Sequence, residues 1–171
     1  MHATTSGLSL ERLQRVSRLT ERYVAEGKLP GTLTLVARRG HVAHLEANGH
    51  MDVEAGTPVA RDTIFRIFSM SKPITSVALM TLYEEGHFQL DDPVSQFIPG
   101  FKDLAVFEGG TADSYTTRPV DREMTIRDLL THTSGLTYGF MNTNVVDELY
   151  RERGIEGSAT IEEMAQKLCD V

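Results

Sequence analysis

The stretch from Met70 to Tyr83 constrains this chain more than any other. It is apolar on several faces at once, through Ile74, Val77, Ala78, Leu79, Met80 and Leu82. A surface helix keeps its apolar residues in one stripe, so this pattern predicts a helix buried on most sides, with other layers packed around it. Pro73 is tolerated there because the first turn has no intrahelical N–H bond to lose. Glu84-Glu85-Gly86 brings the helix to the surface and ends it.

Ser69 and Lys72 stand three residues apart at the mouth of this helix, a spacing that puts both side chains on one face within mutual reach. A serine hydroxyl is a poor nucleophile unless a neighbouring base takes its proton. A lysine can be that base where burial and nearby dipoles disfavour its charged form. The helix N-terminus supplies such a dipole, and the Ser69 N–H is placed to serve as one oxyanion donor. The spacing alone is weak, because a serine at a helix start is most often just a cap.

Around this pair the periodicities predict an α+β order. Leu10, Leu13, Val16, Leu19 and Tyr23 mark an amphipathic helix from near Ser9 to Gly27. Thr32–Arg38 and His41–Ala47 read as a hairpin turned at Arg39-Gly40 and closed at Asn48-Gly49. A short β-like patch runs from Thr63 to Phe68. Asp92-Pro93 reads as N-cap and N1 of a short helical segment. Phe101 to Val120 reads as a long irregular connection. Thr125-x-x-Asp128 resembles a capping box opening a helix from Ile126 to His132, ended by Ser134-Gly135. Further helices are predicted over Val145–Arg153 and after Thr160-x-x-Glu163, the last with Ile161, Met164 and Leu168 on one face.

A chain of 171 residues suffices for one hydrophobic core. Its net charge of −7 argues against nucleic-acid binding, which needs clustered Lys and Arg. A single cysteine, Cys169, excludes an internal disulfide. Met1 to Arg22 has no continuous apolar export signal, and no run approaches the ~18 residues of a membrane span. The expectation is a soluble cytoplasmic protein with no membrane partner. His41, His44, His50 and His87 have no metal-ligand spacing, and no cofactor or metal is expected.

Three ordered motifs carry a family resemblance. Ile67-Phe68-Ser69-Met70-Ser71-Lys72-Pro73-Ile74-Thr75 resembles the nucleophile motif of the serine β-lactamase and penicillin-binding-protein superfamily. Leu90-Asp91-Asp92-Pro93-Val94 and Leu129-Leu130-Thr131-His132-Thr133-Ser134-Gly135-Leu136 resemble two further hallmarks of it. The form of the last motif is most similar to the class C-related esterases called family VIII carboxylesterases.

The resemblance implies a β-lactamase-like fold, with an N-terminal helix and a β-hairpin of an antiparallel sheet beside a helical region. It implies Ser69 as the acylated nucleophile, Lys72 as its activating base and a small carboxylic ester as substrate. A β-lactamase or D-Ala-D-Ala peptidase is the alternative enzyme. A non-catalytic fragment needing a complementing C-terminal chain is the alternative of another class. The family's third catalytic residue is the tyrosine of Y-x-N. None of Tyr23, Tyr83, Tyr115, Tyr138 or Tyr150 is followed by x-Asn, and no K-T-G, H-x-G or W-G-G strand motif occurs. Residues 1–171 are therefore expected to be the N-terminal portion of a single domain, with the C-terminal strands outside them. Tyr138, Phe140 and Met141 follow the S-G-L turn, where the resemblance suggests a loop bordering the acyl pocket; plain packing is the other reading. His132 is expected to hold a turn rather than to act as a base.

Overall fold

The computed structural model describes residues 6–171. Met1 to Thr5, the start of the stretch expected to lack an export signal, lie outside the described residues. Two compact units meet in sequence between Ile67 and Phe68.

In the first unit, helix α1 (Leu10–Ala25) opens on Ser9, whose hydroxyl accepts the Arg12 N–H. It closes in a Schellman arrangement, with Gly27 at φ +66° and the Lys28 N–H donating to the Tyr23 carbonyl. Strand β1 (Gly31–Arg38) pairs antiparallel with β2 (His41–Asp52). The two-residue turn has Arg39 and Gly40 both at positive φ, which matches the twist of the strands it joins. Polar side chains tie helix to strand. Ser17 donates to Glu46 at 2.5 Å and Asn48 donates to Thr20 at 3.3 Å. The Ser17 bond, and after it one that Asn48 donates to Glu46 at 2.8 Å, hold the Glu46 carboxyl below its ordinary range.

Two expectations fail here. Asn48-Gly49 does not close the hairpin, because β2 runs through it to Asp52 and then pairs with β3 (Thr57–Pro58). Gly49 lies opposite Gly31, and a Cβ on it would come within 2.4 Å of the Pro30 carbonyl oxygen. The glycine therefore serves close backbone approach inside a strand, not a turn. The Thr63–Phe68 patch forms no strand, since no described strand pairs with it, and its Ile64 is 94% exposed.

The second unit begins with a 3-10 turn (Phe68–Met70) running into helix α2 (Ser71–Glu84). The predicted helix is present, but no residue of it is buried, and Ile74 and Val77 are 64% and 67% exposed. The expected burial on most sides is not supplied within the second unit, where those faces have no cover. The short helical segment is a 3-10 turn (Val94–Gln96) with Pro93, not Asp92, as its cap. The Asp92 carboxylate instead accepts the Gln89 N–H at 2.7 Å.

Phe101–Val120 is not irregular. It contains a hairpin of β4 (Ala105–Thr111) and β5 (Ser114–Pro119). Gly109 adjoins a bulge after Phe107, and Gly110 at φ +116° passes close to the Ser114 carbonyl. Helix α3 (Ile126–Leu130) has the complete capping box and ends before His132, whose φ of +59° cannot continue a helix. Helices α4 (Val145–Glu152) and α5 (Ile161–Cys169) are capped by Asn144 and Thr160. The core gathers Phe88, Val94, Phe101, Leu149, Tyr150 and Ile155. The fold is α+β with small antiparallel sheets. No helix among the described residues is long and apolar enough to cross a membrane.

Candidate active site

The second unit brings all three sequence motifs together. Lys72, in the first turn of α2, donates from Nζ to the Ser69 Oγ at 3.0 Å. Both side chains are exposed. The residue before the nucleophile, Phe68, has φ +45°, a left-handed conformation that costs a bulky side chain energy and that clusters at functional sites. Ser69 and Lys72 lie along a cleft of about 870 Å³. Thr75, Ser76 and Leu79 extend their side of it, and Leu130, His132, Ser134, Leu136 and Tyr138 line it from the L-L-T-H-T-S-G-L segment and beyond.

Two buried carboxylates hold that segment in place. Asp128 accepts from Arg122 Nη1 and Nη2 at 2.6 and 2.9 Å and from the Thr125 N–H and hydroxyl at 2.9 and 2.7 Å. The Arg122 bonds, with Thr125 next, hold its carboxyl far below the usual carboxylate range. The following turn folds back onto it, with the Thr133 N–H donating to the Asp128 carbonyl at 2.8 Å. Asp147, fully buried, accepts from the Thr137 hydroxyl at 2.6 Å and from the Thr143 N–H and hydroxyl at 2.7 and 2.8 Å. These donors, Thr137 first, lower its pKa to about 2. Arg151 reaches from α4 to the Gly139 carbonyl at 2.5 Å and fixes the loop beyond Tyr138.

The L-D-D-P-V motif docks onto the segment that opens α3. The Val94 N–H donates to the Met124 carbonyl at 2.8 Å, and the Arg127 N–H donates to the Leu90 carbonyl at 2.8 Å. Arg127 also forks onto Asp91 at 2.8 and 3.3 Å. The second motif is thus bonded to the residues just ahead of the third, Met124 to Arg127.

Tyr138 lines the cleft, and the Phe140 ring packs against it with centroids 5.0 Å apart. Phe140 and Met141, in the 3-10 turn Gly139–Met141, are 68% and 53% exposed and are not among the residues lining the cleft. His132 lines it with a backbone held by its N–H bond to the Leu129 carbonyl. The sequence reading passed over Tyr150, Ile155 and Glu156, which also line it. Burial pushes the Tyr150 phenol up. Met164 and Leu168 line it too, and their signal was present as one apolar face of the last helix. Among the described residues no group of three or more His, Cys, Asp or Glu could hold a metal ion.

A serine–lysine pair thus stands at a helix start, beside a pinned turn and along a largely apolar cleft. The chain belongs to the beta-lactamase family, whose pattern matches residues 16–171. Protein Rv1367c of Mycobacterium tuberculosis is 40% identical over 125 residues, which is 73% of this chain and 31% of that protein. Esterase EstB of Burkholderia gladioli is 35% identical over 144 residues, 83% of this chain and 34% of the relative. The solved structure of EstCE1, a hydrolase with promiscuous acyltransferase activity, superposes with a TM-score of 0.75 at 32% identity, over 92% of this chain and 39% of that one. The β-lactamase-like fold is therefore shared, and the chain spans about a third of the length of these curated relatives.

Proposed function

We propose that this chain carries the nucleophile and base of a serine hydrolase acting on small carboxylic esters, as the N-terminal portion of a single β-lactamase-like domain. The observation that carries the reading is the 3.0 Å contact between Lys72 Nζ and Ser69 Oγ at the edge of the cleft. In the neutral form Lys72 takes the Oγ proton as Oγ attacks the ester carbonyl, with the Ser69 N–H as one oxyanion donor. Collapse of the tetrahedral intermediate expels the alcohol, which takes up a proton, and water then hydrolyses the Ser69 ester. Neutral Lys72 is favoured by cover that dries the pair, and both residues are open to solvent in this chain. A complementing segment or chain that supplies such cover belongs to the proposal, as does the open apolar face of α2 it would occupy. EstB, named an esterase, and EstCE1, named a hydrolase, favour an ester over a β-lactam or D-Ala-D-Ala peptide. The single cysteine suits a reducing compartment, and we place the protein in the cytoplasm.

The test is turnover by the full-length protein on p-nitrophenyl butyrate and on nitrocefin. The reading expects ester hydrolysis that Ser69→Ala abolishes, with nitrocefin the poorer substrate. Faster nitrocefin turnover would move the assignment to a β-lactamase, and unchanged turnover in Ser69→Ala would end it.

A further inference from the structure

A second cavity of about 470 Å³ lies against the β4–β5 hairpin, lined on its apolar side by Phe101, Leu104, Val106, Phe107 and Val146. Ser134, Leu136, Tyr150 and Leu168 line both this cavity and the Ser69 cleft. These four residues border both spaces and stand between them. Three of the four present mainly carbon. Each is held from a different direction. Leu136 follows the turn pinned through Asp128, and its N–H donates to the Ser134 hydroxyl at 3.4 Å. Tyr150, 5% exposed, stands on α4, whose first turn is fixed by Asp147. Leu168 comes from α5.

We propose that Leu136, Tyr150 and Leu168 form the wall that limits acyl-chain length, so that short acyl groups are accepted and longer ones are refused for want of the space behind it. This rests on the reading that Ser69 forms the acyl-enzyme. The physical basis is that a close-packed apolar wall discriminates strongly by size. One methylene too many in such a pocket changes kcat/KM by roughly ten- to two-hundredfold. The space behind the wall has that apolar side, with Asp121, Arg122 and Glu123 also lining it, so trimming the wall exchanges a steric clash for burial of the added methylenes against the apolar side.

The experiment uses the full-length protein and two ester series. In one the acyl chain of p-nitrophenyl esters lengthens from acetate to decanoate; in the other the alcohol of alkyl acetates lengthens. Leu168→Ala is expected to raise the octanoate-to-butyrate ratio of kcat/KM roughly tenfold or more, and Leu168→Phe to lower it. Leu136→Ala, on a separate element, should shift the ratio in the same direction as Leu168→Ala, which guards against a loosened α5 as the cause. Active variants with an unchanged acyl profile would overturn the proposal, and so would a shift confined to the alcohol series. If the wild-type protein shows no Ser69-dependent turnover, the parent reading fails and the wall falls with it.

Discussion

Helix α2 and the segment from Thr125 to Asp147 both line the Ser69 cleft, and they are held in opposite ways. The helix carries Lys72 and follows directly on the turn that holds Ser69, yet it has no buried residue and leaves Ile74 and Val77 mostly exposed. The facing segment is short and irregular, yet Asp128 and Asp147 bind it through nearly every acceptor position they have. Within the second unit the segment from Thr125 to Asp147 is held by its own side chains, whereas the apolar face of α2 is left open. Substitutions on α2 should therefore affect chemistry without affecting the stability of residues 1–171. Substitutions at the two carboxylates should do the reverse.

The largest effect is expected at Ser69. In the full-length protein Ser69→Ala should lower kcat/KM for a short-chain ester by at least about a thousandfold, with an unchanged thermal midpoint. A large fall in that midpoint would mean that the hydroxyl is structural and would erase the contrast.

Asp147 comes next. Its folded pKa is depressed to about 2, so its stabilising contribution is complete above the ~3.9 of an unfolded aspartate and is lost as pH falls toward about 2. The difference in melting temperature between wild type and Asp147→Asn should be widest near neutral pH and close in acid. A difference that does not depend on pH would show that the charge plays no part in holding the loop.

Smaller again is the capping box. Thr125→Ala removes a hydroxyl that accepts the Asp128 N–H and donates to its carboxylate, and should cost about 1 kcal/mol by denaturant titration. Val77→Ser, on the exposed face of α2, should change the stability of residues 1–171 by no more than roughly 0.5 kcal/mol. A greater loss there would mean that the helix face is covered after all.

Much of the site could be read in the sequence because its determinants are local. Ser69 and Lys72 meet through three residues of helix geometry, and Thr125 and Asp128 cap α3 through the same spacing. What escaped depends on partners distant in sequence. The β4–β5 hairpin hides behind Gly109-Gly110: the bulge between Phe107 and Gly109 stands opposite Thr117 and Thr116, and Gly110 lets Ser114 and Tyr115 pass close by. Asn48-Gly49 resembles a turn until Gly31 is placed across from it. Tyr150 and Leu168 carry no motif, and only packing brings them to the cleft wall. The Met70–Tyr83 pattern predicts the helix but overstates its burial, because composition cannot say which residues supply the cover.

The central claim is that Ser69 is a nucleophile activated by Lys72. It is tested most directly by treating the full-length protein with a fluorophosphonate and mapping the adduct by mass spectrometry, in wild type and in Lys72→Ala. The account predicts a single adduct on Ser69 that forms far more slowly, or not at all, without Lys72. An adduct on another residue, or labelling of Ser69 at an undiminished rate in Lys72→Ala, would contradict it.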